Sequence, residues 1–248
     1  MSRVILITGG SRGIGRAAAL LAGARGWSVG VNYANNKDAA DATVARVQAL
    51  GGKALAIQGD VSEEADVIEM FDATQQAFGP IDGFVNNAGI VAPGSALADM
   101  DIARMKRIFD TNVLGAYLGA REAARRMSTK RGGRGGSIVN ISSAASRLGG
   151  PNEYVDYAGS KGAIDTFTIG LAKELGPEGV RVNAVRPGII DTEIHASGGK
   201  PDRAAALGVS SPLGRPGTAD EVGESIVWLL SDASSYVTGA LLDVAGGR

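Results

Sequence analysis

The 248-residue chain has no cysteine. That excludes disulfides and thiolate metal sites, and with them a small secreted scaffold held by disulfides. It has one histidine, His195. With no second histidine and no cysteine, a catalytic zinc has no ligand pair to hold it. No window approaches the ~20 apolar residues that a spanning helix needs. The apolar run in residues 1–7 is too short for a secretory signal, so a cytoplasmic location is expected. A net charge of -1 gives no electrostatic case for nucleic acid or for a membrane surface. No linker or composition break divides the chain, which predicts one domain over residues 1–248, long enough to bury its own core.

Short apolar, β-branched runs alternate with longer amphipathic stretches. The strand candidates are Val4–Ile7, Val29–Tyr33, Ala54–Ile57, Gly83–Val85, Ser137–Ile141, Val180–Val185 and Leu241–Val244. Most are continuously apolar, as strands covered on both faces are. Helices are expected near 14–25, 38–50, 63–78, 101–128, 157–175 and 218–231. This rhythm predicts an α/β fold with a parallel, doubly wound sheet. Arg131 to Gly136 form a low-complexity RGG-like patch, expected to be a flexible turn rather than an RNA contact. Residues 186–217 are rich in Pro, Gly and Ser, and a connection that long is usually functional. Residues 189–212 are expected to form a substrate lid, with Ser197-Gly198-Gly199 as hinge or tip.

Thr8-Gly9-Gly10-Ser11-Arg12-Gly13-Ile14-Gly15 directly follows the first strand and opens the first helix. Glycines there permit a tight turn and close approach to a pyrophosphate, while the helix N-terminus offers unpaired N–H groups. A site for NAD needs an acid at the end of the second strand to hold the ribose 2′-hydroxyl. Here that stretch is Val31-Asn32-Tyr33-Ala34-Asn35-Asn36, with no acid before Asp38. Arg12 lies in the glycine turn, where its donor fork suits a 2′-phosphate. NADP(H) is therefore expected, with NAD(H) left possible.

In order along the chain, Thr8-Gly9-x-x-x-Gly13-x-Gly15, Asn86-Asn87-Ala88-Gly89, Asn112, Ser143, Tyr157-x-x-x-Lys161 and Pro187-Gly188 resemble the short-chain dehydrogenase/reductase family. The likeness is to its three-oxoacyl-carrier-protein-reductase-like and glucose-dehydrogenase-like branches, over essentially the whole chain. It implies a Rossmann-type, seven-stranded parallel sheet with helices on both faces. It also implies a homotetramer, with the helices near 101–128 and 157–175 as interface candidates. Gly9, Ser11, Arg12, Gly13, Ile14, Gly15 and Asn32 would bind the cofactor. Asp60 and Val61 would contact its adenine. Asn86, Asn87, Ala88 and Gly89 would line it and steady the sheet. Pro187, Gly188, Ile190 and Thr192 would hold the nicotinamide. The family spacing from serine to tyrosine is thirteen residues. Here Ser143 to Tyr157 is fourteen, which an extra residue in Pro151-Asn152-Glu153 would explain; Ser142 and Ser146 remain alternatives.

The implied chemistry is hydride transfer between a nicotinamide and a carbonyl or alcohol, with Tyr157 as general acid or base. Lys161, four residues on, shares its helix face. Its ammonium is expected to lower the Tyr157 pKa and to hold the nicotinamide ribose. Ser143 would donate to the oxyanion, and Asn112 would bind a water linking Lys161 to solvent. Arg147, Tyr154, His195 and Arg203 are candidates for the substrate pocket, with Ile194 and Leu207 as lid contacts. His195 is otherwise a surface residue. A non-catalytic dinucleotide-binding or sensor protein is the alternative, although it has no need of Asn112, Ser143, Tyr157 and Lys161 together. The residues select no particular substrate and no direction of reaction.

Overall fold

A computed structural model describes residues 2–248. The first half runs β1 (Val4–Ile7), α1 (Gly13–Ala24), β2 (Ser28–Tyr33), α2 (Lys37–Ala49), β3 (Lys53–Gln58), α3 (Glu64–Phe78), β4 (Gly83–Asn86), α4 (Ile102–Phe109) and α5 (Gly115–Met127). Then come β5 (Gly136–Ile141), α6 (Ala145–Leu148), α7 (Val155–Leu175), β6 (Val180–Pro187), β7 (Ile190–Asp191), α8 (Ile194–Ser197), α9 (Arg203–Gly208), β8 (Gly217–Thr218), α10 (Ala219–Leu230) and β9 (Leu241–Val244). Seven strands form one parallel sheet in the order β3-β2-β1-β4-β5-β6-β9. The expected seven-stranded doubly wound fold is present.

The apolar runs account for the two layers. Alternate residues of a strand face opposite sides of its sheet. Ile5, Ile7, Val29 and Val31 therefore join one buried cluster with Ala18, Ala22, Val222 and Ile226 of α1 and α10. Val4, Leu6, Phe84 and Ile138 join the other with Met70, Phe71 and Leu118 of α3 and α5. The strand order reverses between β1 and β4, so the C-terminal ends of these neighbours open a crevice, where α/β sheets bind ligands.

Three expectations change in detail. The helix near 101–128 is broken: a π-helical turn, Asp110–Leu114, joins α4 to α5 and carries Asn112. Such turns occur at functional sites more than elsewhere. The RGG-like patch is a packed turn rather than a flexible one. Gly136 has φ +154, and a Cβ there would stand 2.5 Å from the Asp82 carbonyl oxygen. Residues 189–212 hold more structure than their composition suggests, since β7, α8 and α9 lie within them. Among the described residues no helix is long and apolar enough to cross a membrane.

Candidate active site

The glycine turn is held from both sides by uncharged groups. Thr8 Oγ1 accepts the N–H groups of Asn87 and Ala88, both at 3.0 Å. Asn87 Nδ2 donates to the carbonyls of Thr8 at 2.8 Å and Gly9 at 3.1 Å. From the β2 side, Asn32 Oδ1 accepts the Gly9 N–H at 3.1 Å. Asn32 Nδ2 donates to the carbonyls of Gly59 and Ile57 at 3.0 and 3.3 Å. Asn32 is buried and its amide is fully engaged in this way, so it buttresses the turn rather than presenting a side chain to a ligand. A Cβ on Gly15 would stand 2.4 Å from the Gly9 carbonyl oxygen, which leaves glycine as the residue that fits.

Whether this turn suits a dinucleotide can be judged from α1. Its N-terminus has no side-chain cap and no acid in its first turn, whereas Asn36, Asp101 and Thr218 cap α2, α4 and α10. The first N–H donors of α1 thus remain for an anion at the crevice, and the residues fit a pyrophosphate. Ser11 lends its carbonyl to the Thr43 hydroxyl, and Ile14 packs on the core. Gly13 faces Thr192, whose Cβ lies 3.5 Å from the point where a Gly13 Cβ would be. The Arg12 guanidinium is exposed and reaches Ser197 Oγ at 3.5 Å. Asp60 accepts hydrogen bonds from the Ser62 N–H and hydroxyl, while Val61 is buried at the end of the same loop. The Pro187 carbonyl accepts the Ala144 N–H at 2.9 Å, and the Gly188 N–H donates to Val244 at 3.0 Å. The Ile190 side chain lies in the core.

Across the crevice, α7 presents Tyr157 and Lys161 one helical turn apart. Lys161 Nζ lies 5.7 Å from the Tyr157 ring centroid and donates to the Ile141 carbonyl at 2.7 Å. Lys161 Nζ and Asn112 Oδ1 both lie 3.4 Å from the point where a Gly89 Cβ would be. A side chain at residue 89 would crowd both. Asn112 Oδ1 accepts the Ile90 N–H at 2.8 Å, and its Nδ2 donates to Ile90 O at 2.9 Å and Ser160 Oγ at 3.2 Å. The Asn112 side chain therefore ties the segment after β4 to α7. Asn86 steadies the sheet as expected, bonding Asn140 and the Ala116 carbonyl.

The adjacent serines separate. Ser142 is buried and donates to the Lys161 carbonyl at 3.1 Å, inside the fold. Ser143 is the group beside the Tyr157 phenol. Ser146 turns back to the Ser143 carbonyl at 2.8 Å. The long serine-to-tyrosine interval is taken up in a turn where Asn152 adopts φ +62.

Burial pushes the Tyr157 phenol above its ordinary pKa, and the Ser143 hydrogen bond pulls it partly back. Burial dominates that balance in the fold, with Lys161 Nζ 5.7 Å from the ring centroid. Lys161 is itself lowered to about 8 by burial, with Asp165 opposing that shift. Lys161 is buried, whereas Tyr157 keeps part of its surface open to the crevice, and desolvation is the largest cause of both shifts.

The substrate-side candidates divide. Tyr154 is buried, with Gly198 beside its hydroxyl and the Arg203 guanidinium 5.0 Å from its ring. Glu153 takes Lys200 at 2.5 Å and Arg203 at 2.8 Å, clasping the α8–α9 segment to the loop before α7. His195 Nε2 meets the Ile190 carbonyl at 2.8 Å, so it latches α8 to β7. Arg147 turns away to Asp243 and the Arg248 carbonyl. Sequence reasoning missed Glu153, Arg104 and Asp156. Arg104 and Asp156 form a buried ion pair across 52 residues of chain, and neither belongs to a recognisable motif.

Fold and site together define an oxidoreductase of the dinucleotide-binding α/β class. The family described as enoyl-(acyl carrier protein) reductase matches residues 9–248, and the chain belongs to the short-chain dehydrogenase/reductase family. Its members act on the alcohol/carbonyl pair with a nicotinamide dinucleotide. The chain is 52% identical over 245 residues to the uncharacterized oxidoreductase YgfF of Escherichia coli K12, covering 99% of each. It is 39% identical to an L-rhamnose 1-dehydrogenase (NAD(P)(+)) of Sphingomonas sp. SKA58, covering 99% of this chain and 95% of that one. The crystal structure of a short-chain type dehydrogenase/reductase from Mycobacterium marinum superimposes with a TM-score of 0.91 at 38% identity. It covers 99% of this chain and 94% of the other.

Proposed function

We propose that the chain is an NADP(H)-dependent reductase of a ketone or aldehyde, with Tyr157 as proton donor. One observation supports this above the others: Tyr157, half-buried at the crevice, has Ser143 beside its phenol and Lys161 one turn along α7, with Lys161 Nζ 5.7 Å from the tyrosine ring centroid. The reduced nicotinamide, when bound, supplies the hydride. Tyr157, held protonated by burial, gives its proton to the oxygen that becomes the alcohol. Ser143 donates to that oxygen as its charge develops. Lys161 carries the positive charge that steadies the phenolate left behind and reaches the nicotinamide ribose. Asn112 holds the segment after β4 against α7. Main-chain groups at Pro187, Gly188, Ile190 and Thr192 take the nicotinamide, and Asp60 and Val61 the adenine side.

The coenzyme preference rests on the missing acid after β2 and on the exposed Arg12. A 2′-phosphate beside Arg12 gains a charge-assisted fork that NADH cannot offer. The chain works in the cytoplasm, as a homotetramer through α4, α5 and α7, where Phe109, Leu114 and Tyr117 are exposed. The substrate is left at its chemical class. The matching family description names an acyl carrier protein and a relative's name a sugar, so similarity selects neither.

The test is a steady-state screen of β-keto esters, cyclic ketones and aldoses with NADPH and NADH, on the unmodified chain and Arg12→Ala. NADPH should be preferred, and the variant should lose about tenfold in NADPH affinity, about 1.4 kcal/mol, with NADH unaffected. Equal use of NADH by the unmodified chain overturns the preference. Tight coenzyme binding with no carbonyl consumed supports a non-catalytic binder instead.

A further inference from the structure

We propose that Arg104, through Asp156, is a positioning residue that sets Tyr157 and the surface on which the lid closes. The inference rests on the reading of Tyr157 as proton donor.

Arg104 is on α4, outside every family motif, yet it is 9% exposed. A guanidinium is costly to bury unless its donors find partners. Here they find two chain segments, residues 153–156 at the start of α7 and Pro93 in the loop after β4. Nε donates to Asp156 Oδ2 at 2.8 Å and Nη2 to Asp156 Oδ1 at 3.3 Å, a bidentate pair. Nη1 donates to the Pro93 carbonyl at 2.5 Å. Nη2 also reaches the Glu153 carbonyl at 3.4 Å.

Each segment leads to the site. Asp156 Oδ1 accepts the Tyr157 N–H at 2.9 Å, so the same carboxylate takes the guanidinium and orients the first turn of α7. Glu153 carries the clasp to Lys200 and Arg203 of the lid, and its carbonyl also accepts the Ser95 N–H. Pro93 and Val91 lie under the lid tip. Val91 Cγ1 is 3.4 Å from the point where a Gly198 Cβ would be, and Pro93 Cβ is 3.9 Å from that of Gly199. One buried guanidinium thus fixes the tyrosine's helix, the lid's anchor and the lid's seat. Its rigid planar fork permits this, whereas a lysine offers one compact charge. The glycine turn shares no hydrogen bond with Arg104, Asp156 or Glu153 and is held by Thr8, Asn32 and Asn87, although Arg12 reaches Ser197 Oγ in the lid.

Two variants test it. Arg104→Met alone leaves the Asp156 charge buried and unpaired, which threatens the fold. Arg104→Met with Asp156→Leu removes both charges and keeps an apolar filling. For the double variant, amides at 90–96 and 194–203 should exchange at least about tenfold faster, while those of β1, β4 and β5 keep their protection. NADPH affinity, read by fluorescence, should stay within about twofold. On the carbonyl that the coenzyme screen selects, kcat should fall at least about tenfold, with KM for NADPH unchanged. Unchanged exchange in both segments, or an unchanged kcat, overturns the proposal. Tyr157→Phe run alongside separates the two readings. An inactive Tyr157→Phe with a fully active double variant sinks only the role of Arg104. An active Tyr157→Phe sinks the catalytic reading itself.

Discussion

The two sides of the crevice are held by different physics. On the cofactor side, buried Thr8 and Asn32 and half-buried Asn87 fix the glycine turn through neutral hydrogen bonds. On the substrate side, the lid is clasped by Glu153 to Lys200 and Arg203, at side chains from 19% to 50% exposed. Buried neutral bonds are not screened by salt and cost the full desolvation of a group when broken. Partly exposed ion pairs are worth about 0–1 kcal/mol each and weaken as salt rises. On the proposed reading, the cofactor side receives one ligand in one geometry and the substrate side opens, with the proposed catalytic pair between them on α7.

The largest effect is expected at that junction. Tyr157→Phe should lower kcat about 10³-fold, the middle of the range for a general acid, with NADPH affinity unchanged because the phenol takes no part in holding the turn. Ser143→Ala should lose much of the rate. Ser142→Ala should instead destabilise, because its hydroxyl serves the fold. A dead but well-folded Ser142→Ala alongside an active Ser143→Ala reverses the serine assignment.

The rigid side breaks by crowding. Gly15→Ala places a methyl 2.4 Å from the Gly9 carbonyl oxygen. It should cost about 100-fold in NADPH affinity, about 2.7 kcal/mol. Near-normal binding by that variant shows that the turn yields, and the contrast between the two sides fails.

The pH dependence follows from Lys161. Its pKa in the fold is about 8, below the ordinary lysine value of 10.5. Protonated Lys161 is the competent form for reduction, so the rate should fall as pH rises through about 8, while Tyr157 remains protonated. Stability moves the other way. The unfolded chain holds this proton more tightly, so the cost of burying the charge is fully present below about 8 and is relieved between about 8 and 10.5. Lys161→Met should be inactive, and more stable by about 1–3 kcal/mol at neutral pH. A variant less stable than the parent at pH 7 contradicts this.

The smallest effect tests the clasp. Glu153→Gln should raise the substrate KM about two- to fivefold, the scale of one or two partly exposed ion pairs, and speed amide exchange around 194–203. High salt should do the same to the unmodified chain and little to the variant. Equal salt sensitivity in both assigns the closure to other contacts.

Most of the frame was legible in the sequence because local chemistry dictates it. Val4–Ile7 and Leu241–Val244 are strands with the expected limits; the apolar, fully buried run of β1 has little alternative, while the edge strand β9 is only partly buried. The glycine turn was legible because backbone approach and helix start demand particular residues at particular spacings. Contacts that close over distance were not. The Arg104–Asp156 pair joins positions 52 apart, and nothing local marks either residue. The π-helical turn at Asn112 leaves the apolar pattern nearly intact, so periodicity reads one helix where there are two. Ser142 and Ser143 are equivalent as letters. The strand direction decides between them, sending one side chain inward to Lys161 and the other to Tyr157. Likewise, the composition of 189–212 suggested mobility but hid the His195 and Glu153 attachments that hold it.

Hydride transfer to a carbonyl carbon is the central claim, and isotope transfer tests it most directly. NADPH deuterated at nicotinamide C4, supplied as each of its two epimers, is turned over with the carbonyl that the screen selects, and the product is analysed by mass spectrometry and NMR. The account predicts that one epimer delivers its deuterium to the carbinol carbon of a product alcohol, and that Tyr157→Phe yields almost none. Deuterium at an alkene-derived carbon, or coenzyme oxidation without label in the alcohol, contradicts it.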